Sequence, residues 1–105
     1  MLDERFEWWR DVDCNFAQIF VNNAKDGVEG IKEYYERARE EVAGDYKEFV
    51  RLIYDLNMLC WFYYEHGDNE KSKTFSDLYY KAEDEFYEIY DDDDEALRYH
   101  FRKLD

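Results

Sequence analysis

The 105-residue chain carries 28 acidic against 14 basic side chains, a formal net charge of −14, together with 11 Tyr, 8 Phe, 3 Trp and no proline. The charge alone would suit a disordered chain, but disordered acidic segments lack the apolar surface that offsets chain entropy, and 46% of these residues are hydrophobic. One folded domain over residues 1–105 is expected, with a field that repels bare nucleic acid and anionic membrane and favours a protein with a basic surface.

Apolar residues recur every three or four positions, the period of an amphipathic helix. The expected fold is all-α, a compact antiparallel bundle of four main helices plus a short C-terminal one. The first helix is expected from about Asp3 to Ala24, with Phe6, Trp9, Val12, Phe16, Ile19 and Phe20 inward. Asp26 with Glu29 reads as a capping box opening a second helix that carries Ile31, Tyr35, Ala38 and Val42. The stripe almost holds register into Phe49, Ile53, Leu56, Cys60 and Tyr63, but Gly44 and a second capping box, Asp45 with Glu48, predict a break at Gly44. The third helix then spans Tyr46 to His66. Gly67 and Asp68 end it and cap a fourth, from Asn69 to about Tyr90, with Phe75, Leu78, Tyr79, Ala82, Phe86 and Ile89 inward. Asp92 with Glu95 is expected to cap the last helix, bearing Leu97, Phe101 and Leu104. The short connections make consecutive helices antiparallel neighbours, as a bundle or as two stacked hairpins.

The start, Met1-Leu2-Asp3-Glu4-Arg5, has acids where an export signal has bases, and the longest apolar run is Met58–Tyr64. Cys14 and Cys60 fall within helical patterns, where buried free thiols are expected. A cytoplasmic location follows as an expectation.

The inventory for catalysis is poor: Ser72, Ser76, Thr74, the two cysteines, His66 and His100. Di-iron bundles use Glu-x-x-His, yet Tyr63 and Leu97 stand three residues before the histidines. Asp91–Glu95 lacks the Gly and the bidentate Glu of an EF-hand loop. No enzyme activity, metal or cofactor is expected. His66 reads as a partly exposed cation interacting with the last carbonyls of its helix, and His100 as a surface residue.

The acids are concentrated. From Glu83 to Glu95 every charged residue is acidic: Glu83, Asp84, Glu85, Glu88, Asp91, Asp92, Asp93, Asp94 and Glu95. On a helix they would span ~18 Å, one charge per ~2 Å, close to the ~1.7 Å of duplex DNA. Asp77, Asp84, Glu88, Asp91 and Glu95 would share one outer face if the helix held through the aspartates. Such a run is either a solubilising face or a partner-binding surface, with Tyr80 and Tyr87 supplying aromatic contacts among the acids. The aromatic pairs Trp8-Trp9, Tyr34-Tyr35 and Tyr79-Tyr80 point about 100° apart on a helix and are not expected both to face the centre of one core, so some are expected at a rim or on the surface. A homodimer burying surplus aromatics is a further possibility.

Two resemblances bear on function. Tyr63-Tyr64-Glu65-His66-Gly67-Asp68-Asn69-Glu70-Lys71-Ser72 resembles the turn between the helices of a tetratricopeptide repeat, and Glu33–Ala38 resembles the second helix of such a repeat. Phe62 and Tyr79 stand where that family has small residues, and its terminal proline is missing. This resemblance implies an adaptor that holds a peptide or helix in an aromatic-lined groove involving Tyr35, Tyr63 and Tyr64. In composition the chain resembles small acidic inhibitors of phages and mobile elements, the anti-CRISPR and anti-restriction proteins that mimic nucleic acid. That resemblance implies a non-catalytic inhibitor whose carboxylates occupy the Lys/Arg groove of a nuclease or other nucleic-acid-binding protein.

Overall fold

A computed structural model describes residues 15–104, with side-chain environments for residues 16–100. All described elements are helices: α1 (Asn15–Ala24), α2 (Val28–Glu41), α3 (Tyr46–Glu65), α4 (Asn69–Tyr90) and α5 (Asp94–Leu104). The expected inward positions Phe6, Trp9 and Val12, the thiol of Cys14, and the side chains of Phe101 and Leu104 lie outside the described residues.

The break between α2 and α3 falls where Gly44 and Asp45 place it. Asp45 is the N-cap, and its carboxylate accepts from the Lys47 and Glu48 backbone N–H groups at 3.0 and 3.3 Å. The α3–α4 turn is a Schellman closure. Gly67 takes the left-handed conformation, φ 81°, while Gly67 N–H donates to the Tyr64 carbonyl and Asp68 N–H to that of Tyr63. Asp68 then caps α4 by accepting from Lys71 N–H at 3.1 Å.

The α1–α2 turn departs from the expected capping box. Gly27, not Asp26, is the N-cap of α2, and no side chain caps that end. The turn folds too tightly for Asp26 to reach it: Gly27 N–H donates to Ala24 and Asp26 N–H to Asn23. The two helices meet so closely that a Cβ on Gly30 would collide with the Asn23 carbonyl oxygen.

The helices stack as two hairpins, α1–α2 and α3–α4, with α5 folded back on α3 and α4. Within the second hairpin Phe49 meets Phe86 edge-on at 5.4 Å, Tyr63 stacks flat on Phe75 at 5.5 Å, and Ser72 Oγ donates to the Cys60 carbonyl. Phe20 touches Tyr34 within the first hairpin and Phe75 across to the second. Ile31, Tyr35, Ala38, Val42, Phe49, Ile53, Leu56, Phe75, Leu78, Ala82 and Phe86 are buried as expected, and the free thiol of Cys60 is half-buried.

Three core assignments change. Ile19 is exposed because the buried face of α1 runs through Phe16, Ala17, Phe20, Val21 and Ala24, whose small residues let α1 sit close to its neighbours. Ile89 is exposed because Tyr90 closes the end of the core against Phe86, Phe49 and Tyr46. Tyr34 and Tyr35 are both buried, since α2 lies between α1 and α4 and directions 100° apart both meet a neighbour.

Candidate protein-binding surface

The core face of α4, set by Phe75, Leu78, Ala82 and Phe86, leaves Asp77, Tyr80, Asp84, Glu88 and Asp91 on the opposite side, and all five are exposed. Neighbours at three or four positions stand ~5–6 Å apart. Tyr80 sits within this row with 61% of its surface open, its ring braced edge-on by Tyr79 at 5.2 Å. Lys81 is drawn aside to Glu36 of α2 at 3.3 Å, with its ammonium over the Tyr35 ring. Among the described residues no hydrogen bond or ion pair engages the carboxylates of Asp77, Asp84, Glu88, Asp91, Asp92 or Asp94.

The row does not continue to Glu95. The helix ends at Tyr90, a turn follows, and a new helix starts at Asp94. Asp93, one residue beyond the expected Asp92, caps α5 by accepting from Ala96 N–H at 3.1 Å. Glu95 belongs to α5 and accepts from the Tyr46 hydroxyl at 2.9 Å, which raises the phenol pKa of Tyr46. The exposed acids of the turn are therefore Asp91, Asp92 and Asp93, with Asp93 committed to the cap, and the exposed Asp94 opens α5.

Glu83 and Tyr87 turn toward the protein. Glu83 accepts from the Tyr79 hydroxyl at 3.2 Å and lies 3.4 Å from His100 Nε2, while the Tyr87 hydroxyl is 3.5 Å from His100 Nδ1. Burial, followed by the Glu83 carboxylate, pushes the Tyr79 hydroxyl up to about 12. His100 is 2% exposed and stacked on Phe86 at 5.1 Å, which corrects its assignment to the surface. Its neighbours Arg98 and Arg102 suggest an exposed helix, and only the return of α5 over α4 reveals the burial. His66 is exposed, its ring against Phe62 at 4.3 Å.

Two further acids have structural roles, one inside the acidic run and one outside it. Glu85 lies on the inner flank of α4, bound to Tyr35 and Arg39 of α2. Asp55 of α3 is wholly buried and accepts from the Phe16 and Ala17 backbone N–H groups at 3.2 Å each, capping α1 from another helix. Its sequence signal is a carboxylate in the otherwise uncharged run Leu52–Tyr64.

Of the three groove tyrosines that the repeat resemblance implies, Tyr35 is buried, Tyr63 half-buried and Tyr64 exposed. Among the described residues no group of three or more His, Cys, Asp or Glu is placed to hold a metal ion. No described helix is long and apolar enough to cross a membrane. Comparison with known family models, curated proteins and solved structures returns no significant match to the chain.

Proposed function

We propose that the protein is a non-catalytic inhibitor that presents the outer face of α4 and the following turn as a mimic of a nucleic-acid backbone. Its partner is a nuclease or other nucleic-acid-binding protein whose Lys/Arg groove takes Asp77, Asp84, Glu88, Asp91 and Asp92 in place of phosphates, with Tyr80 as an aromatic anchor for arginine.

The observation carrying this reading is the position of the acids. Carboxylates near a helix C-terminus oppose the helix dipole, and the last turn of α4 has no base to compensate. Asp93 has a structural reason as a cap, and Asp94 and Glu95 suit the first turn of α5. Glu88 and Asp91 at the end of α4 have no such reason, and functional sites are where local rules are expected to be broken.

The test is capture of partners from a bacterial lysate by the wild-type protein and by a variant carrying D77N, D84N, E88Q and D91N. A captured nucleic-acid-binding protein that is displaced by salt or by duplex nucleic acid, and missed by the variant, supports the reading. Capture that the variant retains, or that duplex does not compete away, refutes it.

A further inference from the structure

A second surface has the opposite character. Trp61 and Tyr64 project from the C-terminal half of α3 at 59% and 61% exposure, their rings edge to face with centroids 6.0 Å apart. Beside them the half-buried Tyr54, Asn57 and Met58 continue the same helix face. Between Leu52 and Tyr64 the chain has a single Asp, Glu, Lys or Arg, and that residue, Asp55, is buried as the cap of α1. In a chain with 40% charged residues, more than three turns of helix thus present no charged side chain of their own to solvent.

We propose that this face of α3 is the contact between two copies of the chain. A basic partner would be drawn to the acids of α4, not to an uncharged stripe. Two copies at −14 each repel wherever carboxylates would meet, and this stripe brings only the exposed Glu65, one turn beyond Trp61, to the contact. Across a two-fold axis the patch is self-complementary: each Trp61 packs against the partner's Tyr64 and the apolar side chains around it. At ~60% exposure, and ~150–250 Å² for an aromatic side chain, the pair offers ~200–300 Å² per copy. With the flanking residues, both copies together bury ~800–1,000 Å², below the range of permanent dimers. The dimer is therefore weak. Added salt strengthens it by screening the repulsion between copies, whereas salt weakens binding by the acidic face. The α3 contact is independent of whatever the acidic face of α4 binds.

Sedimentation of the full chain, from micromolar to near-millimolar concentration at low and high salt, tests this. The expected result is a monomer–dimer equilibrium that tightens several-fold as salt rises. Two variants, W61A/Y64A and W61E, are expected to stay monomeric with unchanged helical circular dichroism, while Y80A dimerises like the wild type. W61E removes one ring and adds a carboxylate at the contact, so it reports independently should the double variant lose helical signal. A chain that is monomeric throughout, a dimer that survives W61E, or association that weakens with salt overturns the proposal.

Discussion

The Tyr35 hydroxyl of α2 donates to the Glu85 carboxylate of α4 at 2.9 Å, and the other oxygen of that carboxylate accepts from Arg39 Nε at 3.0 Å. The Arg39 guanidinium also lies over the Phe49 ring of α3 at 4.4 Å, so one polar cluster ties three helices together. Removing its hub leaves a buried hydroxyl and a mostly buried cation without their carboxylate. E85A is expected to cost ~2–3 kcal/mol and Y35F ~1 kcal/mol. Urea denaturation of the two variants and their double mutant is expected to show coupling above ~0.5 kcal/mol.

Burial of phenols makes the fold sensitive to alkali. Tyr34 is pushed up to about 12, mainly by burial and then by Glu41, and Tyr35 is raised further by burial and its bond to Glu85. An acid whose folded pKa lies above its unfolded value of ~10 binds its proton more tightly in the native state. Its contribution is complete below pH ~10 and is lost as pH rises toward the folded value. Stability is thus expected to fall between about pH 10 and 12, with late phenolate absorbance from these residues. Y34F is expected to flatten that slope; an unchanged slope would show that Tyr34 titrates as an ordinary phenol.

Gly30 is buried in α2 with the Asn23 carbonyl in the space a Cβ would take. Alanine inside a helix normally stabilises by ~1 kcal/mol over glycine. Here G30A is expected to destabilise by ~1–3 kcal/mol, because two backbones must separate. A midpoint in urea that is unchanged or higher than wild type would contradict the close approach of α1 and α2.

Asp55 holds the start of α1 through two backbone N–H groups. D55A is expected to lose ~2–4 kcal/mol, with D55N intermediate because an amide oxygen still accepts but carries no charge. Hydrogen exchange is the direct readout: the amides of α1 are expected to lose protection in D55A more than those of the α3–α4 hairpin.

The acidic row of α4 is expected to behave in the opposite way. Asp84 and Glu88 are four positions apart and Glu88 and Asp91 three, spacings at which like charges repel by ~0.2–0.5 kcal/mol per pair. The variant with D77N, D84N, E88Q and D91N is therefore expected to be as stable as wild type or slightly more so in urea, while losing partner binding. A marked loss of stability would mean these carboxylates hold the fold.

Helix number, the break at Gly44–Asp45 and the Gly67–Asp68 closure were legible in the sequence, because caps and glycine turns act over a few neighbouring residues whatever lies beyond them. The acidic segment was legible too, since charge density is a property of composition. Tertiary structure decided which acids remain at the surface. Glu85 was drawn inward to Tyr35 and Arg39 of α2 and Glu83 to His100 of α5, whereas Glu95 stays exposed while accepting from Tyr46 of α3. The same limit hid the burial of both Tyr34 and Tyr35, because a helical period records how many residues face inward but not how many neighbours a helix has. Asp77, Asp84, Glu88 and Asp91 stay together on one exposed face because α4 is covered only along the line from Phe75 to Phe86. Burial is a relation between elements, so it is settled only when they pack.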